Sequence, residues 1–150
     1  MHESAYMNMK EYINIFKALS DNTRLRIMRL LIHAGRELCV CEIVDSLQVS
    51  QYNVSRHLKN LKIAGLIKER KDGRWVFYSV TKSIGDFQKL ILNTVKSIPG
   101  DIFSMDIERL NARLSLREGE KCVIGFESKE WEKALNQLLS KGGRKYVQKT

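Results

Sequence analysis

The chain has 150 residues, 43% of them hydrophobic, and a formal net charge of +9. That length suits one domain with a real core, or a core with an appendage. No apolar run approaches the roughly 18 residues of a membrane span and no signal-peptide-like stretch opens the chain, so a cytoplasmic location and no membrane partner are expected.

The first nine residues carry little pattern. Tyr12, Ile15, Phe16 and Leu19 then recur at helical spacing and predict a short helix with one apolar face. Ser20-Asp21-Asn22 is a cap cluster, and the helix after it runs to about His33, with Leu25, Met28, Leu31 and Ile32 on one side. Gly35 stops it. A third helix is predicted over about Cys39–Leu47, from Val40, Ile43, Val44 and Leu47.

The next helix lies within Val49–Leu66. Ser50 is its N-cap and Gly65 its stop. Val54, Leu58, Leu61 and Ile63 mark an apolar side, and Gln51, Tyr52, Ser55, Arg56 and Lys59 the other. No acidic residue occurs from Gln51 to Ile67. Such a face suits a DNA major groove: Arg and Gln can read base edges, while Ser and Lys hold phosphates. The competing reading is an ordinary solvated helix, and the surroundings decide against it. A short helix, a three-residue turn and a polar basic helix make a helix-turn-helix. Leu66–Arg70 and Arg74–Val80 then read as strands around a Lys71-Asp72-Gly73 turn, with Arg70, Lys71 and Arg74 at the tip. Residues 51–76 hold seven Lys or Arg against two acids, a local net of +5. The fold class expected is mainly α with a small β-hairpin: a winged helix-turn-helix, with a C-terminal extension. The expected partner is double-stranded DNA.

A long helix is predicted over about Lys82–Ser97. Ile84, Phe87, Ile91, Val95 and Ile98 form a narrow stripe that reads as a homodimer face shared with the first helix. The alternative is packing on the chain's own core. Pro99-Gly100 marks the clearest boundary, which divides a winged-helix DNA-binding and dimerisation domain over 10–98 from an extension over 99–150. In the extension Phe103, Ile107, Leu110 and Leu114 suggest a helix, Cys122–Phe126 a short strand, and Trp131, Leu135, Leu138 and Leu139 a last helix. The end from Lys141 to Thr150 adds four positive charges and no acid.

The runs FKALSDNTRLRIMRLL and ELCVCEIVDSLQVSQYNVSRHLKNLKIAGLIKERKDGRWVFYSV closely resemble the ArsR–SmtB family of metal-sensing winged-helix repressors, over about residues 10–98. The resemblance implies a homodimer that binds an operator, represses transcription and is released by a metal or metalloid. Position by position it makes Ser50, Gln51, Ser55, Arg56 and His57 candidate DNA contacts. Tyr52 stands where proline is common, and for His57 packing remains as good a reading as base contact.

Glu37-Leu38-Cys39-Val40-Cys41-Glu42-Ile43 resembles the arsenic-sensing branch in particular. Thiolates select soft ions, and a helix N-terminus favours the thiolate. On an ideal helix the two thiols would point about 200° apart at roughly 3.6 residues per turn, so the helix start must unwind or distort. Some family members place a third cysteine three residues after the second; this chain has Val44 there. Cys122 is the remaining thiol and is read as completing a site of Cys39, Cys41 and Cys122, from the same or the partner subunit. The alternatives are a Cys122 buried as a small apolar residue, or two thiols completed by water or an exogenous thiol. The inducer implied is As(III) or Sb(III), ahead of Cd(II), Pb(II) or Zn(II). The cadmium–lead type uses thiols from the N-terminal arm, and residues 1–20 hold no Cys, only His2. The zinc type uses His and carboxylates on the long helix, where Lys82–Ser97 has no His and only Asp86.

Two other functions compete on the same scaffold. One is a thiol-based redox-sensing regulator using Cys39 and Cys41; the other is a constitutive DNA-binding module with inert cysteines. No phosphate loop or catalytic signature argues for an enzyme, and no resident cofactor is required.

Overall fold

Local caps fix where the helices begin. The computed structural model describes residues 7–82 and 85–142. Helix α1, Met9–Leu19, opens on a capping box between Asn8 and Glu11. Helix α2, Asn22–Ala34, is capped by Asp21, whose carboxylate accepts from the Arg24 amide at 3.0 Å, and ends at Gly35 with φ of 64°. Strand β1 is the pair Leu38–Cys39, and helix α3 spans Val40–Leu47. Helix α4, Gln51–Ile63, starts on the Ser50 hydroxyl and stops where Gly65 takes φ of 78°. At that stop the Leu66 amide reaches Leu61 O and the Gly65 amide reaches Lys62 O, which satisfies the last carbonyls.

Strands β2, Ile67–Asp72, and β3, Trp75–Val80, pair antiparallel, and β1 pairs with the other edge of β3. The sheet order is β1-β3-β2. Asp72 faces Trp75, so the hairpin loop is Gly73-Arg74, one residue beyond the expected Asp-Gly position. Gly73, with φ of 60°, is what that loop demands. Strand β1 takes Cys39 out of the helix expected over Cys39–Leu47. Two residues carry no period to read, and they extend only because β3 offers a free edge.

The core is built from Ile27, Met28, Leu30 and Leu31 of α2 against Ile43 and Leu47 of α3 and Val54, Leu58 and Leu61 of α4. Ile63, expected on the apolar side of α4, is exposed instead. The helix expected from Lys82 is α5, Asp86–Lys96; Ile84, the first member of its stripe, lies outside the described residues. The stripe does not stay free as a dimer face. Ile91 and Val95 are buried in the core, and Phe87 packs edge-on to Tyr12 and Phe16 of α1, with ring centroids 4.8 and 5.8 Å apart. The side that remains open is one helical step away: Leu90 of α5 and Met9, Ile13 and Phe16 of α1.

Beyond Pro99 a short 3₁₀ turn, Gly100–Phe103, leads into helix α6, Ser104–Leu114. Arg29 of α2 holds this corner. Its guanidinium donates to the carbonyls of Val95, Lys96 and Ile98 and lies 4.9 Å from the centre of the buried Phe103 ring. Helix α6 runs along α3, and helix α7, Lys129–Gly142, closes over it through the buried Trp131. The Cys122–Phe126 segment, expected as a strand, is irregular and makes no ladder pairing among the described residues; the nearest is the Glu118–Lys121 bridge just before it. Its carbonyls at Ile124 and Gly125 are taken by Arg113, so no strand edge is needed to satisfy them.

Candidate thiol site and nucleic-acid interface

Cys39 ends β1 and caps α3. Its backbone is extended, with φ −74° and ψ 149°, while Cys41 already belongs to the helix. That break in the helix removes the opposed orientation two thiols would have on one continuous turn. The two sulfurs lie 2.9 Å apart. Cys122 arrives from the loop after α6, with its Sγ 3.6 Å from that of Cys41. All three Sγ atoms fall within 4.8 Å of one another, and among the described residues this is the one cluster of metal-ligating side chains. The thiols are 2%, 5% and 4% exposed, so the donors are dry and already gathered.

Buried ion pairs hold these pieces together. Glu42, fully buried on α3, accepts from the Cys39 amide at 2.9 Å and from two nitrogens of Arg117 at 2.7 Å each. Arg117 also donates to the Glu37 carbonyl. One turn along, Arg113 donates to Asp45 at 2.7 Å and to the Ile124 carbonyl at 2.6 Å. The Glu127 amide donates to the other oxygen of Asp45. Arg109 donates to the Ser46 carbonyl and to Asp106, which also takes Arg26 of α2. The segment bearing Cys39 and Cys41 and the loop bearing Cys122 are thus clamped by one helix, α6, and the turn after it.

Local sequence does not single out these arginines, because charged residues are expected at the surface. A signal exists all the same. Arg109, Arg113 and Arg117 recur every four residues, and Glu42, Asp45 and Ser46 present acceptors at matching steps on α3.

The charges bear on the sulfurs. Neighbouring thiols, Cys122 first and then Cys41, donate towards Cys39 and hold its pKa below the usual thiol range. The same sharing pushes Cys41 and Cys122 up, with burial adding to it. One thiolate is therefore favoured within a set of three, and the α3 N-terminus supports it. Three sulfurs with no hard oxygen among them fit a thiophilic ion. Access is from two sides of Trp75. A cavity of about 550 Å³ reaches Cys39 and Cys41 between Trp75, Val76 and Phe126 and extends to Gln51 and Ser55. Another, of about 710 Å³, reaches Cys122 beside Arg117.

On α4, Gln51, Tyr52, Arg56 and Lys59 are exposed and Ser55 half-buried, on the side away from the core. Ser50 accepts from the Asn53 amide at 3.2 Å, so its hydroxyl is occupied as a cap. His57 departs from the rest. It is buried, with Nδ1 3.0 Å from an Arg24 nitrogen and 3.8 Å from Asp21. The Arg24 guanidinium also donates to the Ala18 and Lys17 carbonyls at the end of α1. His57 therefore ties α4 to α1 and α2 beneath the polar face. On the hairpin Arg70, Lys71 and Arg74 are all exposed. Arg70 pairs with Glu37 at 2.8 Å and lies over the Phe77 ring, and Arg74 lies over the Trp75 ring, each 4.7 Å from the ring centre. Lys62 is engaged by Glu69 at 2.8 Å. Arg144, Lys145 and Lys149 of the basic end lie outside the described residues.

Comparison with known proteins agrees with this architecture. The profile described as "Bacterial regulatory protein, arsR family" matches residues 21–69. The "Arsenic resistance transcriptional regulator ArsR1" of Pseudomonas putida is 40% identical over 96 residues, covering 64% of this chain and 74% of that protein. The "Uncharacterized HTH-type transcriptional regulator MJ1325" of Methanocaldococcus jannaschii is 44% identical over 84 residues, covering 56% of this chain and 90% of that protein. Among solved structures, HlyU from Vibrio cholerae N16961 superposes with a TM-score of 0.50 at 25% identity, over 69% of this chain and 99% of that one. Among the described residues no helix is long and apolar enough to cross a membrane.

Proposed function

The chain belongs to the ArsR family of bacterial regulatory proteins, and from that membership we propose a cytoplasmic, dimeric transcriptional repressor that leaves its operator when a thiophilic ion occupies Cys39, Cys41 and Cys122. It is a DNA-binding regulator rather than an enzyme. As(III) or Sb(III) is the inducer favoured, ahead of Cd(II), Pb(II) or Zn(II). The observation that carries the reading is three buried sulfurs within 4.8 Å of one another, all from one protomer. An arsenic-resistance regulator among the relatives supports the choice of ion.

Residues 10–98 form the DNA-binding and dimerisation unit in this reading, and the extension over 99–150 supplies the third sulfur. Gln51, Tyr52, Ser55, Arg56 and Lys59 enter the major groove. Ser50 holds the start of the helix and His57 its seat. Arg70, Lys71 and Arg74 contact the backbone or minor groove beside it. The exposed apolar side of α1 and α5 joins the protomers, which sets the two reading helices roughly 34 Å apart, about one DNA turn. The bound ion supplies soft coordination that draws three sulfurs together. The protein's part is to gather them, exclude water and pass a changed arrangement of the α3 start to its neighbours. Release then requires the inducer to favour the weak-binding state by a coupling of about 1–3 kcal/mol.

The test is a gel shift on the protein's own promoter with arsenite, antimonite, cadmium and zinc in turn, repeated with Cys122→Ser. Arsenite or antimonite should release wild type, and Cys122→Ser should need far more of it. An unchanged response in Cys122→Ser rejects the three-thiol site. The redox reading is supported by the 2.9 Å approach of Cys39 and Cys41. It predicts release by peroxide: two thiols would give one disulfide as the peroxide is reduced to two waters. Titrating peroxide against arsenite separates the two.

A further inference from the structure

The thiols are wired into the wing as well as towards the reading helix, whose Gln51 and Ser55 line the same cavity as Cys39 and Cys41. In an antiparallel sheet, residues directly opposite one another project from the same face. Cys39 of β1 lies opposite Phe77 of β3, and Phe77 lies opposite Arg70 of β2. Cys39, Phe77 and Arg70 therefore form one row across three strands. Trp75 sits two residues before Phe77, so it shares that face. The buried cluster holding the sulfurs consists of Cys39, Cys41, Cys122 and Phe77, with Trp75 packed against it. No residue of α4 belongs to it.

Each of these two aromatic rings also carries a guanidinium. Arg70 lies over Phe77 and Arg74 over Trp75, at 4.7 Å in both cases. Arg70 is held further by Glu37, two residues before Cys39. The two wing arginines thus rest on the same rings that wall the sulfurs. A guanidinium attracted to an aromatic face follows that face when it tilts. Drawing three sulfurs onto one ion has to reset the packing of Phe77 and Trp75, because close-packed interiors transmit such shifts instead of absorbing them.

We propose that Trp75 and Phe77 are the positioning residues that carry occupancy of the thiols to the operator, by setting where Arg74 and Arg70 point. The inference rests on the reading of the thiols as the inducer site. It assigns the wing, alongside the reading helix α4, as an element whose DNA contacts change on induction.

The full-length protein is titrated onto fluorescent operator with and without saturating sodium arsenite, and the ratio of the two dissociation constants is taken. Arsenite occupancy is followed separately, by the ultraviolet absorption of the sulfur-bound metalloid and by loss of free thiols. Wild type should show a ratio within the usual range of about 5–150-fold. Trp75→Leu keeps an apolar wall against the sulfurs but removes the ring under Arg74. It should bind arsenite with all three thiols, yet its ratio should fall at least threefold below wild type. Trp75→Phe restores a ring and should recover most of the ratio. Arg74→Gln, at the exposed tip, tests the same link while leaving Trp75 itself against the sulfurs: it should weaken operator binding without arsenite and lower the ratio too. Ratios within twofold of wild type in fully occupied Trp75→Leu and Arg74→Gln would overturn the wing route, while the thiol site itself would stand. A wild-type protein that takes up no arsenite through its thiols would remove the inducer site, and the wing route with it.

Discussion

Arg113 of α6 donates to Asp45 of α3 at 2.7 Å, and each side chain is only 1% exposed. The same guanidinium holds the Ile124 and Gly125 carbonyls, so one residue joins α3, α6 and the Cys122 loop. A buried pair of this kind is not itself strong evidence of stability, since desolvation offsets most of the attraction. Breaking it is costly, because the remaining charge has no partner. Arg113→Ala should therefore lose about 3–5 kcal/mol, or roughly 10 °C in Tm for a chain of this size. The double variant Arg113→Met, Asp45→Leu should regain only part of that loss in thermal unfolding, because the Ile124 and Gly125 carbonyls and the Glu127 amide still lose their partners; a double variant no more stable than Arg113→Ala would disprove the account. Neither should bind arsenite as well as wild type, because the Cys122 loop loses its anchor in both.

Much of this arrangement is legible in the sequence. Ser50 and Gly65 bound α4 because capping is local chemistry, visible in a few residues. The two thiols at the third helix and the single thiol beyond it are legible as a possible set, since cysteine is rare and its partners few. The buried arginines of α6 are not. Their role depends on which acids the fold brings opposite them, and that is a long-range fact. Apolar periodicity begins at Val40 and sets the expected helix to start at about Cys39; pairing of Cys39 with Phe77 across the sheet takes that residue into a strand instead. The stripe on α5 has the spacing of a packing face, but spacing does not name the neighbour. Ile91 and Val95 fill this chain's own core and leave Leu90 outside.

His57 provides a pH dependence. An arginine N–H can only donate, so the Nδ1 that faces Arg24 accepts and the neutral ring carries its proton on Nε2. Burial is the main cause holding the His57 pKa below its ordinary value; Arg56 and Arg24 push the same way, and Asp21 opposes them. A folded-state pKa below the unfolded one means that folding disfavours the protonated ring. The stabilising contribution is complete above the unfolded value, about 6.5, and is lost as pH falls through the lower folded value. Tm should thus drop between about pH 7 and pH 5. His57→Asn offers an amide oxygen to Arg24 at any pH and should flatten that drop. Parallel curves for the two proteins would take His57 out of the explanation.

The polar face of α4 and its neighbours differ in which cations are free to meet phosphate. Among the described residues no acid pairs with the exposed Lys59, whereas Lys62 is engaged by Glu69 at 2.8 Å. Each phosphate contact adds about 0.9 to the slope of log affinity against log salt. Lys59→Ala should weaken operator binding and lower that slope by about one contact, similarly for specific and random DNA. Lys62→Ala should change the slope less. Measured slopes in the reverse order would move the DNA backbone away from the Lys59 side of the helix.

Leu90 is 65% exposed on α5, and Met9 and Phe16 of α1 are 72% and 55% exposed. Phe87, one turn before Leu90, packs edge-on against Phe16, which joins these side chains into one apolar side. Exposed apolar residues gathered in this way are the usual mark of a protein contact, and in the dimeric reading proposed above a second copy of the chain is the occupant that places two reading helices on one operator. Leu90→Glu puts a charge where a partner would bury it, yet leaves the core untouched because Leu90 contributes nothing to it. The variant should keep the wild-type Tm of an isolated protomer and its helical circular dichroism, while sedimentation shifts from dimer to monomer at micromolar concentration. Operator affinity should fall by at least tenfold, since two half-sites are no longer held together. If Leu90→Glu sediments as the same dimer as wild type, the protomers meet through some other surface.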